Sequence, residues 1–338
     1  MRHYLIHFIV GEVSQEFRGE VFKPLLVKSA PAYVQGAVPH QLVVGRETVN
    51  ADGREVVFDI RGYPPDVLLI LTRVEVDDVI SRDIFPLEES ISRQALELLK
   101  LHGGSGMSEA YSVFVVAGFE GAPERFLDRA DIITSLLKSE RLELDPREID
   151  YTMRTQIKYA KGDLAIIDWD GAFLFDPDDD VEEDLELLVL ANLQLLRYRI
   201  LDSKIDERFE RLSRLVHAGR KYGLWRRGEF QEDLKELVEA RTTAIIGLQK
   251  LEREIKLIGD WYSARFFDLA TGKFKIEEWR KSVRNKLESL EDLFSTVMEN
   301  FSVTGKHKAE WIQIILFFLL QTGWFILLAI EYSYFTRS

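Results

Sequence analysis

The chain has no cysteine among its 338 residues. That excludes disulfides, thiolate nucleophiles, and zinc or iron–sulfur sites held by sulfur. Histidine is scarce, at 6 residues, and no HExxH motif occurs. His3 and His7 would share one face of a strand, too far apart to chelate a metal by themselves. No GxSxG elbow or serine-triad pattern appears. Gly103-Gly104-Ser105-Gly106 ends a helical pattern and precedes a strand, the reverse of a phosphate-binding loop, and lacks its Lys-Ser/Thr pair. Basic residues are the minority, with 44 Lys and Arg against 57 Asp and Glu and a formal charge of −13. A general nucleic-acid binder carries a broad basic face, so no DNA partner is expected. Repeats and low-complexity tracts are absent. Met1 to Val13 lacks the long apolar core and cleavage site of a signal peptide and reads as a first strand.

Apolar residues make up 46% and charged residues 30%, which describes a folded chain and not a disordered one. Residues 1 to about 75 are rich in short apolar runs: Leu5 to Val10, Phe22 to Val27, Gln41 to Val44, Glu55 to Ile60 and Val67 to Val76. A turn at Asn50-Ala51-Asp52-Gly53 punctuates them. Ser81 to Leu101 has helical spacing through Leu87, Ile91, Ala95, Leu98 and Leu99. Tyr111 to Ala117 reads as a strand, Ala130 to Leu142 as a helix, and Thr155 to Tyr159 as a further short strand. Leu164 to Ile167 and Ala172 to Phe175 flank Asp168-Trp169-Asp170-Gly171, and Asp-Gly between apolar runs is a strong hairpin signal. Together these define an α+β domain with a mixed sheet over residues 1–176.

After Asp176-Pro177-Asp178-Asp179-Asp180 the pattern turns helical. Long antiparallel helices and a stalk are expected over 177–304: about 181–216, then about 230–267 with a break at Ala270-Thr271-Gly272, then a third from Ile276. In the third, Ile276, Trp279, Val283, Leu287, Leu290, Phe294, Val297 and Phe301 recur every three or four residues. Such a seam suits either an intramolecular bundle or an intermolecular coiled coil.

Residues 305–338 contain an uncharged stretch from Trp311 to Ile330, about 30 Å long as a helix. The spacing predicts a single C-terminal transmembrane helix, with Trp311, Tyr332 and Tyr334 at its interfaces. Lys306 and Lys308 before it, against Arg337 after it, orient the N-terminal domain to the cytoplasm of a cell (inner) membrane. Gln313 and Gln321 within the span seek partners on another helix, and Glu331 reaches water at its end. Those side chains serve either as oligomer glue or as a pore lining.

Two further clusters carry candidate chemistry. Asp176, Asp178 and Asp180 are weak candidates for a hard cation, without EF-hand spacing, and equally suit a helix start. Arg220, Lys221, Trp225, Arg226 and Arg227 suit contact with RNA or lipid head groups, or a helix-connecting loop. No catalytic residue and no cofactor is expected.

The strands around Asp168-Trp169, the stretch from Trp261-Tyr262-Ser263 to Asp268, and His307-Lys308-Ala309-Glu310-Trp311 before the terminal segment resemble the required-for-meiotic-nuclear-division family. That resemblance covers about half the chain, residues 160 to 330. It implies a non-enzymatic, membrane-anchored oligomeric scaffold, which in mitochondria supports translation at the inner membrane. A weaker architectural resemblance, an α/β head with long helices and a stalk, is to the CorA-type cation channels, although the second span and the Gly-Met-Asn signature are absent. The sequence therefore predicts a membrane-tethered homo-oligomeric scaffold with lipid and an unidentified protein as partners; the alternative is an oligomeric channel.

Overall fold

In the computed structural model the described residues are 1–14, 20–22, 41–219 and 261–292, with 242, 246, 295, 313–318, 320–322 and 324. Among the described residues nine strands form one mixed sheet in the order β2-β3-β4-β5-β1-β6-β9-β8-β7. They are β1 (Arg2–Val13), β2 (Glu20–Phe22), β3 (Gln41–Ala51), β4 (Arg54–Tyr63), β5 (Val67–Val76), β6 (Gly104–Ala117), β7 (Gln156–Ile157), β8 (Leu164–Ile167) and β9 (Gly171–Asp176). Every pairing is antiparallel except β6 with β9. The α+β class with a mixed sheet is thus observed.

Central strand β1 and the second half of β6, from Tyr111, are buried on both faces, which is why they read as continuous apolar runs without alternation. Leu5, Ile9, Phe114 and Val116 face one way, beneath α1 (Ile84–Leu101), α2 (Ala130–Leu137) and α3 (Pro146–Met153). Ile84, Leu87, Ile91, Ala95, Leu98 and Leu99 of α1 are buried on this layer. Each large side chain among them contributes about 1.5–3 kcal/mol. Gly11 lets α1 approach, because a Cβ there would lie 2.9 Å from Leu99 Cδ1 and closer still to Cδ2.

Tyr4, Ile6, Phe8 and Val10 alternate onto the opposite face. There α4 (Glu182–Gly219) and α5 (Trp261–Lys273) supply the cover. Arg61 of β4 holds Glu186 of α4 at 2.7 Å, and Tyr111 of β6 meets the Phe274 ring edge-on.

Two turns show local chemistry at work. Asp52 and Gly53 adopt positive φ in the β3–β4 hairpin, and Asn50 Oδ1 accepts the Gly53 N–H. At the β8–β9 hairpin the tight pair is Trp169-Asp170, closed by the Asp168 N–H on the Gly171 carbonyl, so Gly171 already belongs to the strand.

The helix expected to break at Ala270-Thr271-Gly272 instead continues to Lys273. Phe266, Phe267, Ala270 and Phe274 are buried, and that anchorage outweighs the roughly 1 kcal/mol cost of Gly272 in a helix. The chain then turns at Lys275, whose φ is +51°, into a helix at 276–292.

Contacts divide the chain into two compact units, residues 1–205 with 239–283, and residues 206–238 with 284–338. The 176/177 junction therefore lies inside the first unit, because the first half of α4 is buried with the sheet. Of the expected seam, Ile276 and Val283 are buried and Trp279 is half-buried in the first unit. Leu287 and Leu290 are buried in the second, whereas Phe294 and Val297 lie outside the described residues.

The expected C-terminal transmembrane helix is corrected. No helix among the described residues is long and apolar enough to cross a membrane. The single-pass inner-membrane location and the tail-anchored description fall with it. That expectation rests on the uncharged stretch Trp311 to Ile330 and the aromatic residues at its ends. Trp311 and Glu331 lie outside the described residues, as do Arg220, Lys221, Trp225, Arg226 and Arg227.

Candidate functional site

At one end of the sheet, where β6 begins its buried course and the β8–β9 hairpin turns, ionisable side chains converge. Asp168 occupies the hairpin and is only 5% exposed. Its Oδ1 accepts the Trp169 N–H at 2.9 Å and Lys273 Nζ at 3.3 Å. Its Oδ2 takes the Thr152 hydroxyl at 3.2 Å and Lys138 Nζ at 3.2 Å. Thr152 comes from α3 and Lys138 follows α2, both on one face of the sheet, whereas Lys273 ends α5 on the other. One carboxylate therefore clamps both helical layers at the sheet's end.

The electrostatics follow from this placement. Burial by itself would raise the Asp168 carboxyl, but Lys273 and then Lys138 bring it below its ordinary value. Burial likewise opposes the Lys138 ammonium, yet Glu148 at 2.8 Å and Asp168 raise it above its ordinary value. Lys273 also lies 5.0 Å from the centre of the Tyr151 ring. The hairpin backbone is tied in as well, since Tyr111 Oη donates to the Asp168 carbonyl at 2.9 Å.

Beneath α1 a second polar group forms on the same end. His7 of β1 and Ser112 of β6 are cross-strand partners, with Nδ1 and Oγ 3.0 Å apart. Glu88 of α1 is buried on the same layer, beside Ser112. All three residues are buried. Burial pushes the Glu88 carboxyl up to about 7, despite Ser112, and pushes the His7 imidazole down to about 4. His7 is then neutral, and its Nε2 has no partner. Which of Nδ1 and the Ser112 hydroxyl donates depends on the His7 tautomer.

The group is not a nucleophilic triad, because Ser112 is closed to solvent.

A third cluster lies at the start of α4. Asp184 Oδ2 accepts Tyr262 Oη at 3.3 Å, and Ser263 Oγ donates to Glu183. Burial, with Glu183, Asp163 and Asp176 nearby, pushes Asp184 up to about 8. The Tyr262 phenol is raised by burial and by Asp184.

The sequence-level candidates fare differently. Asp176 Oδ1 accepts the N–H groups of Asp178 and Asp180 and so shapes the turn into α4. Asp179 takes Arg2 and Arg73. Among the described residues no group of three or more carboxylate or imidazole side chains is arranged to hold a metal ion. Gln313 and Gln321 are exposed on helix. His3 shares the His7 face as expected, and its Nδ1 accepts the Val79 N–H at 3.0 Å.

Glu88 and Ser112 were missed. A signal existed for Glu88, which interrupts the core-facing row Ile84, Ile91, Ala95, Leu98 at a position where an apolar residue belongs. Ser112 carried none, because a lone serine in a strand is commonplace.

Fold and site together define an α+β protein whose interior charges clamp helices to a nine-stranded mixed sheet. Residues 10–181 match the family described as "Uncharacterized protein MJ0711, N-terminal domain", and the chain belongs to that family. It is similar to "Uncharacterized protein MJ0711" of Methanocaldococcus jannaschii, 24% identical over 313 residues, covering 92% of this chain and 91% of the relative. No solved structure matches the chain.

Proposed function

We propose that the protein is a non-enzymatic scaffold that assembles with copies of itself through the helical residues 313–318, 320–322 and 324. One observation carries this reading: Ile314, Ile315, Leu316, Phe317, Phe318, Leu320 and Trp324 are 45–68% exposed in the single chain. Burying a side chain of this kind contributes about 1.5–3 kcal/mol, so several together offset the roughly 4–15 kcal/mol cost of association.

A second copy suits the segment because Trp311 to Ile330 carries no Asp, Glu, Lys or Arg, and pairing like with like buries no charge. Gln313 and Gln321 supply amides that hydrogen-bond across such an interface and fix its register. The resemblance to the required-for-meiotic-nuclear-division family points to the same kind of role. The buried clusters support it too, since their charges are engaged in holding helices. The channel alternative requires a membrane-crossing helix and is set aside with that helix.

Light scattering of the purified full-length chain after size exclusion tests the reading. A single species of at least twice 39.2 kDa is expected. Phe317→Glu with Leu320→Glu should return it to the monomer mass. A monomeric wild type, a polydisperse aggregate, or a double variant that keeps its assembly would each overturn it.

A further inference from the structure

The buried carboxyl of Glu88 has a role that the scaffold reading does not use. It sits mid-stripe on α1, 7% exposed, beside Ser112. The charged groups facing it come from each neighbouring element. Asp170 of the β8–β9 turn repels its ionised form, and Arg141 after α2 attracts it. Arg141 is already engaged with Glu89 at 2.8 Å and is itself exposed, so Glu88 has no buried cation of its own. Glu89 and Arg93 pair with each other on the outer side of α1. His7 is the remaining titratable neighbour and is held neutral by burial.

We infer that α1 is docked on the sheet through protonated Glu88, and that loss of this proton loosens the helix. An ionised Glu88 would stand in the core with no counter-ion of its own, whereas an undocked α1 returns it to water. Ile84, Phe85, Leu87 and Ile91 are released with it, which makes the helix a cover over apolar surface.

The sign follows from linkage. Docked Glu88 keeps its proton up to about pH 7, and undocked Glu88 loses it near its ordinary value of 4.5. Undocking in that window releases one proton, so the opening constant gains up to tenfold per pH unit and levels off above it. His7 acts oppositely, because solvated imidazole takes up a proton below 6.5. A comparison of two chains that both keep His7 removes its contribution.

Amide hydrogen exchange of α1, corrected for intrinsic chemistry, is measured on the full-length chain and on Glu88→Gln at pH 5, 6, 7 and 8. The ratio of wild-type to variant opening should rise at least tenfold between pH 5 and 7 and flatten by pH 8. A ratio that does not change with pH overturns the inference. Should Glu88→Gln fail to fold, carbon-13 NMR of the wild-type Glu88 carboxyl decides: a midpoint near 4.5 overturns it, and one above 6 supports it.

Discussion

Asp168→Asn is the sharpest probe of the clamp at the end of the sheet. The substitution preserves shape but replaces one acceptor oxygen with an amide that can only donate. The Trp169 N–H and one other donor keep a partner, and Thr152 can turn its oxygen to accept. The two lysines lose the anion they share, at 3.2 and 3.3 Å. A hydrogen bond to a charged group is worth about 1.5–3 kcal/mol, and removing one member of a buried pair costs about 3–5 kcal/mol. Lys138 retains Glu148, and both lysines keep some hydration, at 25% and 14% exposure. The net loss is therefore about 2–4 kcal/mol. Hydrogen exchange at β8 and β9 reads it directly as roughly thirty- to several-hundred-fold faster opening. Because native Asp168 lies below its ordinary value of 3.8, its contribution is present above that pH and is lost as pH falls through the native value. The gap between wild type and variant should accordingly be full at pH 6 and shrink in strong acid. A difference under about 0.5 kcal/mol at pH 6, or a gap indifferent to acid, would refute the clamp.

Other perturbations test other contacts. Gly11→Ala drives a Cβ into the Leu99 methyls and should cost about 1–3 kcal/mol, seen as a lower thermal midpoint of the sheet-bearing unit. Asp184→Asn should do the reverse. The native carboxyl is raised from 3.8 to about 8, so the wild type loses stability as pH climbs through that window; the variant should be roughly 1–3 kcal/mol more stable at pH 8, and the advantage should vanish below pH 4. Urea titrations at the two pH values decide it. Arg61→Ala leaves Glu186 half-buried without its 2.7 Å partner and should cost about 1–2 kcal/mol, measured the same way.

Much of the fold was legible because its signals are local. Strand runs such as Val67 to Val76 reappear with the same limits, and the Asp52-Gly53 turn declares its own geometry. Other features depended on distant chain. The end of α5 could not be read from Ala270-Thr271-Gly272, because buried Phe274 decides it from the sheet's far face. The parallel pairing of β6 with β9 joins segments about 60 residues apart and has no periodic signature. Asp168 looked like a turn residue, and it is one. Its second role needs Lys138, Thr152 and Lys273, which come together only in the folded chain. At the C-terminal end the same locality misled, since twenty uncharged residues flanked by aromatics were read as a span.

Buried ionisable groups usually add less stability than apolar residues of the same size, so their placement calls for a reason beyond stability. In this chain each cluster lies where a helix meets a neighbouring element: Glu88 under α1, Asp168 between α2, α3 and α5, Asp184 between α4 and α5. An apolar interface of Leu, Ile and Phe tolerates sliding and rotation at small cost. A carboxylate that must meet a particular lysine, hydroxyl or phenol does not, so each cluster fixes the position of the helix it holds. Asp168 achieves this with two cations and stays charged. Glu88 has no buried cation and fixes α1 only while it keeps its proton. The same requirement for a satisfied interior charge thus yields a permanent clamp at one point and a releasable one at the other.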